Sequence, residues 1–340
     1  MIRKFIIAAL AVAAAVAAYF LTTEKEVVEV KTEAGPAVVY DLGGKNDGSF
    51  NFAAFTGAEQ FKSETGVDYR DFEIQNDAQR EQALRNFARK GFNPVVAIGF
   101  SHGAAMEKVA AEFPDTQFGI VDMVVDLPNV RSILFKEHEG SYLVGLMAGM
   151  ASDSKKVGFV GGMDIPLIRR FECGYKQGAT AAGASDVLGN MTGNTGAAWN
   201  DPVKGGELTK SQIDRGVDVV FQAAGGTGFG VLQAAADADI LSIGVDSNQN
   251  GLHPGKVLTS MLKRVDIAVY NAFKDYQDGN WSTGFSVLGV AEGGVDWALD
   301  DNNASLVSAD MKAAVEQAKN NMVNGNLVVH DYMSDNSCPL

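Results

Sequence analysis

From residue 37 onward, short apolar runs alternate with longer stretches whose apolar residues recur at helical spacing. Residues 37–42 read as a strand. Phe52, Phe55, Ala58 and Phe61 then mark one face of a helix over 51–65. Strand 69–74, helix 77–90, strand 95–99, helix 104–112 and strand 117–121 follow, the last ending in Asp122. A short strand, 132–134, precedes a Gly/Met-rich helix over 139–151. The pattern then restarts with strand 156–161, helix 165–182, strand 187–191 and helix 202–215. Two successive β/α sets predict an α/β fold of two doubly wound parallel-sheet lobes. Strand 257–262 and helix 266–278 are expected to return to the first lobe. That assigns 37–150 plus about 257–300 to lobe one, 151–256 plus about 301–330 to lobe two, and 331–340 to a tail. A chain that crosses more than once makes a multi-crossover hinge with a cleft between the lobes.

The most pointed local pattern is VVFQAAGGTGFG over 219–230 with the apolar run 240–245 that follows and ends in Asp246. It reads strand, glycine loop, helix, strand, acid. Glycines let the backbone approach a ligand, and an acid at the next strand end can hold hydroxyls. The pattern points to a small molecule with vicinal hydroxyls.

Composition narrows the class. The charged fraction of 21% and hydrophobic fraction of 46% are those of a globular protein, and 340 residues suggest two domains. A net charge of −14 excludes a nucleic-acid partner, because no basic stripe is available to neutralise phosphates. Arg3 and Lys4 ahead of an Ala-rich apolar run to Leu21 resemble an export signal over 1–22, with 23–36 as a linker. Left uncut, the same run would anchor the chain in the membrane; cut near Ala15 and Ala17, it would release it to the periplasm. Cys173 reads as a buried free thiol and Cys338 as a tail residue, with no bridge between them.

An ordered set of motifs carries a resemblance: GGKNDGSFN (43–51), DTQFGIVD (115–122), VGFVGGMDIPLIRRFECGYKQG (157–178), WNDPVKG (199–205), VVFQAAGGTG (219–228), IGVDSNQ (243–249) and TSMLKRVDIAVY (259–270). Colinear from about 37 to 329, it resembles the basic membrane protein family, the purine nucleoside receptor type of ABC-transporter substrate-binding protein. The resemblance implies a periplasmic-binding-protein fold, no catalysis, no cofactor, a nucleoside between the lobes and an ABC permease as partner. Many members are lipoproteins; the absence of a cysteine near the leader suggests a soluble periplasmic form. The family's first loop usually carries two adjacent acids, where this chain has Asn46 and Asp47.

A nucleoside needs flat faces for its base, directional groups for the base edge and acceptors for the ribose diol. Asn46, Asp47 and Asn51 are the candidate edge readers and Phe50 a ring contact; a turn, a helix cap and a core phenyl are their structural alternatives. Asp122 and Asp246 end strands in the two lobes and would accept from ribose. Lys263 would orient Asp246 or donate to a ribose oxygen. Trp199 or Phe221 would stack on the base, although Phe221 lies within a strand and Phe171 on a helix face, both positions typical of core. Gly225, Gly226 and Thr227 would present backbone N–H groups.

Two enzyme patterns compete. Gly99-Phe100-Ser101-His102-Gly103 fits a nucleophile elbow, and Asp246 with His253 or His330 supplies triad order, but no oxyanion motif precedes it. Ser101 and His102 are therefore placed at the cleft mouth. Gly226-x-Gly228 with Asp246 imitates a dinucleotide fingerprint, but Val231 replaces its third glycine. The four histidines lack metal-ligand spacing. A receptor of the same fold for a sugar or another small ligand is the nearer alternative.

Overall fold

The computed structural model describes residues 34–340. The expected leader, and the linker up to residue 33, lie outside the described residues. The chain runs β1 (Ala37–Tyr40), α1 (Phe50–Thr65), β2 (Arg70–Glu73), α2 (Gln79–Arg89), β3 (Val95–Ile98), α3 (Gly103–Glu112), β4 (Phe118–Val121), β5 (Val130–Phe135) and α4 (Glu137–Ala151). It continues β6 (Lys156–Met163), α5 (Pro166–Ala181), β7 (Asp186–Gly193), α6 (Pro202–Ile213), β8 (Val219–Ala223), α7 (Gly228–Asp237), β9 (Leu241–Asp246) and β10 (Val257–Lys263). The last elements are α8 (Val265–Gln277), β11 (Gly284–Leu288), β12 (Val295–Trp297), α9 (Ala309–Val323) and α10 (Tyr332–Asp335).

The strands form two six-stranded sheets, ordered β11-β5-β4-β3-β1-β2 and β12-β10-β9-β8-β6-β7. The first sheet is parallel throughout. The second is parallel except for β12, which runs antiparallel to β10. The inner strands are buried along their length, as in Val95–Ile98 and Val219–Ala223. Helices cover both faces, so these strands read as continuous apolar runs. The two strand orders superimpose element by element, which makes β4 and β9 equivalent.

Helix boundaries follow ordinary capping chemistry. Pro202 opens α6, and Asp201 accepts from the Lys204 N–H at 2.9 Å. Ser308 caps α9 by accepting from the Met311 N–H. Gly66, with φ +73°, closes α1 in the left-handed conformation.

The assignment of the return strand is corrected. β10 pairs with β9 and so extends the second sheet, not the first. Only α8, which packs on α1, and β11, which pairs with β5, return to the first lobe; β12 then rejoins the second sheet. Helix α4 likewise packs on α5, β10 and β12 rather than on the first sheet. The periodicity of a β/α unit is the same whichever sheet it joins. Apolar patterning therefore leaves the partner sheet open, and pairing decides it.

The lobes are joined by three crossings: β5 to α4, β10 to α8 and β11 to β12. Backbone bonds fasten them together, Lys136 N–H to Leu288 C=O and Arg264 N–H to Gly294 C=O, each 2.9 Å. The first crossing helix is set by glycine. A Cβ at Gly178 of α5 would stand 2.1 Å from the Tyr142 carbonyl oxygen, and one at Gly145 of α4 would stand 2.4 Å from that of Tyr175. These contacts are against backbone, which cannot rotate away. Gly178→Ala is therefore expected to destabilise the fold by about 1–3 kcal/mol or more through overpacking. Urea unfolding would read this, and a loss under about 0.5 kcal/mol, the surface-substitution range, would contradict so close an approach.

The two cysteines are also corrected. Cys173 and Cys338 are joined in a disulfide across 165 residues of sequence. The tail returns over α5, where Arg170 and Gln177 hold it, and that brings the two thiols together.

Candidate functional site

The carboxyl ends of both sheets face one another across a cavity with about 620 Å³ of free space, part of it continuous with solvent. It lies at the strand ends where α/β sheets bind ligands. Eight of the expected residues line it: Asp47, Phe50, Asn51, Asp122, Trp199, Gly225, Asp246 and Lys263.

The two strand-end acids are equivalent by topology and share a conformation. Asp122 follows β4 with φ +66°, and Asp246 ends β9 with φ +62°. Non-glycine residues held in the left-handed region carry local strain, which clusters at functional sites. The Oδ2 of Asp122 accepts from Lys263 Nζ at 2.6 Å, while its buried Oδ1 has no hydrogen-bond partner. Asp246 accepts from the Ser49 hydroxyl of the opposite lobe.

Lys263 is 2% exposed. Its ammonium is ion-paired with Asp122 and, at 2.9 Å, with Glu137. It also lies over the Phe50, Phe135 and Phe171 rings at 5.0, 5.2 and 5.7 Å. Of its three donors, one is hydrogen-bonded to Asp122, while Glu137 is held as an ion pair. No hydrogen bond joins Lys263 to Asp246, so it acts on Asp246 only as a nearby charge.

Burial raises the Asp246 carboxyl to about 7, against the opposing pull of Lys263 and Ser49. Burial likewise raises Asp122 to about 6, opposed by the Lys263 charge. For Glu137 burial is the largest influence, but Lys263 and Arg170 outweigh it and hold the carboxyl below its usual range. The sign for Asp246 follows from linkage. A carboxyl whose folded pKa exceeds its unfolded value adds stability while protonated. That contribution falls as pH rises from about 4 and is gone above about 7. Asp246→Asn should therefore stabilise the unliganded protein, and by more at pH 8 than at pH 5. Thermal melts at the two pH values would show it; an equal or smaller gain at pH 8 would contradict a raised Asp246.

Asp47 takes the structural alternative while lining the cavity. Its Oδ1 accepts from the Ser49 and Phe52 N–H groups and its Oδ2 from the Asn51 N–H and side-chain amide, at 2.9–3.0 Å. These four bonds saturate a carboxylate and fix the start of α1. Burial raises its pKa, against those same bonds. Asn51 in turn accepts from the Asp41 N–H, keeping one amide N–H free.

Four expected residues do not line the cavity. Asn46 is exposed on its loop. Phe221 is fully buried and packs on Phe159 and Tyr175, ring centroids 5.5 and 5.2 Å away, so it is core and not a stacking face. Gly226 lies behind Gly225 against the Trp199 carbonyl. Thr227 is buried; its hydroxyl donates to the Ala198 C=O at 2.8 Å and accepts from the Asp201 N–H at 2.7 Å, so it pins the turn that carries Trp199. Gly162 clears the space for that indole, since a Cβ there would lie 2.1 Å from the ring.

Other residues join the lining, Asp41, Phe100, Leu167, Ile168 and Phe171 among them. Asp41 pairs through Oδ1 with the buried Arg80 at 2.6 Å. It follows β1 as Asp122 follows β4, so the strand-end signal was present in the sequence. Reading 37–42 as one strand hid it. Phe171, expected in the core, is 3% exposed and also forms cavity wall.

The lobes touch around the site. The Ser247 hydroxyl donates to the Ser49 C=O and the Gln249 amide to the Gly48 C=O, each at 2.9 Å. Ser101 lines an outer groove beyond Trp199. His102 is fully buried, with both ring nitrogens unpartnered, and burial lowers it to about 3. Neither of these residues reaches the inner cavity. His330 contacts Asp335 of the tail. Among the described residues no histidine hydrogen-bonds Ser101, and no group of metal-binding side chains is found.

Two topologically equivalent lobes, three crossings and an interlobe cavity with charged and aromatic walls define a solute-binding protein of the periplasmic-binding type. The chain belongs to the family described as "ABC transporter substrate-binding protein PnrA-like", whose model matches residues 36–331. It is similar to the ABC transporter nucleoside-binding protein BmpA of Lactococcus lactis, 32% identical over 88% of this chain and 90% of that one. A CD4+ T-cell-stimulating antigen of Listeria monocytogenes is 34% identical over 86% and 87% of the two chains. Among solved structures, an ABC transporter solute-binding protein from Aeropyrum pernix K1 superimposes with a TM-score of 0.79 at 30% identity, covering 87% of this chain and 93% of that one. The chain is thus a binding component and not an enzyme. It works outside the cytoplasm, taking a small molecule to a transporter permease.

Proposed function

We propose that the chain binds a nucleoside, with a preference for purines, and delivers it to the permease of an ABC importer. The observation that carries this reading is the pairing, in one cavity, of the strand-end carboxylate Asp246 with the aromatic walls Phe50, Phe171 and Trp199. The carboxylate suits a ribose diol, and the rings suit a flat base. The free N–H of Asn51 and the unpartnered Oδ1 of Asp122 offer a donor and an acceptor to the polar edges. Three aromatic walls with Leu167 and Ile168 favour the larger bases. The similarity to a relative named as nucleoside-binding supports the same reading.

The cellular site we propose is the periplasm, reached through the leader at 1–22. A disulfide between Cys173 and Cys338 is at home in such an oxidising compartment. The direct test is mass spectrometry of small molecules released by denaturing the freshly purified protein. A nucleoside is expected, and a sugar in its place would move the chain to the alternative receptor class.

A further inference from the structure

The tail adds no strand to either sheet, yet it is tied to one face of α5 along its length. Arg170, Cys173 and Gln177 fall on that face at helical spacing. The Asp331 carboxylate takes two bonds from Arg170, Nε to Oδ1 at 2.7 Å and Nη2 to Oδ2 at 2.6 Å. Gln177 donates to the His330 C=O at 3.0 Å and accepts from its N–H at 2.8 Å. The Cys173–Cys338 bridge closes the strap.

Arg170 faces the hinge with its remaining nitrogen. Its Nη1 donates to the Phe135 C=O at 2.8 Å and to Glu137 Oε2 at 2.9 Å, both at the first crossing. The other oxygen of Glu137 is paired with Lys263 Nζ, which lines the cavity and stands at the second crossing. An unbroken line of charge contacts therefore runs from Asp331 through Arg170 and Glu137 to Lys263. Cavity walls and strap also share α5, since Phe171 is the next residue after Arg170.

We propose that the C-terminal strap is a positioning device for the ligand site: Asp331, held by the Cys173–Cys338 bridge, orients Arg170 and through Glu137 fixes the Lys263 ammonium and the hinge, so that breaking the bridge weakens ligand binding. The inference rests on the interlobe cavity being the ligand site and not on the ligand being a nucleoside. A small dithiol would open the strap. Its thiolate attacks one bridge sulfur, the Sγ–Sγ bond breaks, a mixed disulfide forms and the second thiol resolves it. Cys173 and Cys338 gain two electrons and two protons as thiols, and the dithiol leaves as a cyclic disulfide.

The test compares oxidised wild type, dithiol-treated wild type, Cys338→Ser, Asp331→Asn and Asp331→Glu. Adenosine, guanosine and uridine are the titration probes after ligand is stripped from the protein. The reduced protein, Cys338→Ser and Asp331→Asn should each bind the tightest probe about 3- to 30-fold more weakly, the range of coupling through packed networks. Cys338→Ser should be indifferent to dithiol, and Asp331→Glu, which keeps the charge, should recover part of the loss. A purely structural strap would lower the melting temperature and leave affinity unchanged, which overturns the proposal. If none of the probes binds wild type, the nucleoside reading fails, and hydrogen exchange then decides the strap by itself. On reduction, exchange should rise at the crossing segments 135–139, 263–266 and 289–294. A rise confined to 329–340 would overturn the proposal.

Discussion

Replacing Lys263 by methionine is expected to cost about 3–5 kcal/mol of stability, the range for breaking a buried ion pair on one side. Asp122 and Glu137 would be left in the interior without their shared cation. Glu137 keeps Arg170 at 2.9 Å, so the uncompensated charge falls on Asp122. Asp122 stands at about 6 with Lys263 present, and losing that charge pushes it higher. A carboxyl with a raised folded pKa loses its contribution as pH rises. The variant should therefore be less impaired at pH 5, where Asp122 can hold a proton, than at pH 8. Urea unfolding at both values would measure this. A loss below about 1 kcal/mol at pH 8, the scale of an exposed ion pair, would mean that Lys263 is not the buried counterion described.

Asp246→Ala should weaken nucleoside binding by at least about tenfold. A hydrogen bond to a charged group is worth roughly 1.5–3 kcal/mol, or about 10- to 150-fold in dissociation constant. Ligand hydroxyls would have to displace the Ser49 hydroxyl now bonded to Asp246, or share the carboxylate with it. The carboxylate must also be ionised to accept two hydroxyls. Since burial raises it to about 7, nucleoside affinity in wild type should fall as pH drops below 7 and do so less in the variant. Calorimetry with nucleoside, deoxynucleoside and free base completes the comparison. Removing a ribose hydroxyl should hurt wild type more than the variant, because the variant has already lost the acceptor.

The sequence made some of this site readable and hid the rest for identifiable reasons. Asp122 and Asp246 were legible because an acid at the end of an apolar run marks a strand's carboxyl edge, where ligands collect. Asp41 carried the same signal, but the run was read two residues too far. Phe221 misled because every residue of β8 is buried, and an aromatic in such a strand gives no sign of which neighbour it meets. Asp47 was legible as polar and near the site. Only the four bonds it accepts reveal that it holds α1 before it holds anything else.

Glu137 and Arg170 carry no local signal; their importance comes from long-range pairing with Lys263 and Asp331. The fold class was legible from two rounds of β/α alternation. The membership of β10 and α4 was not, because amphipathic patterns specify that a face is buried and not against what. The Cys173–Cys338 bridge follows from the tail's path over α5, a path set by Asp331 and His330 contacts that local sequence does not announce.

The most direct measurement is calorimetric titration of the ligand-stripped wild-type protein with a purine nucleoside, its free base and ribose, at pH 8 where Asp246 is ionised. The nucleoside should bind tightly and either fragment far more weakly, because the aromatic walls and the strand-end carboxylate each hold one half of the molecule. Free base binding as tightly as the nucleoside would contradict this, as would ribose binding alone.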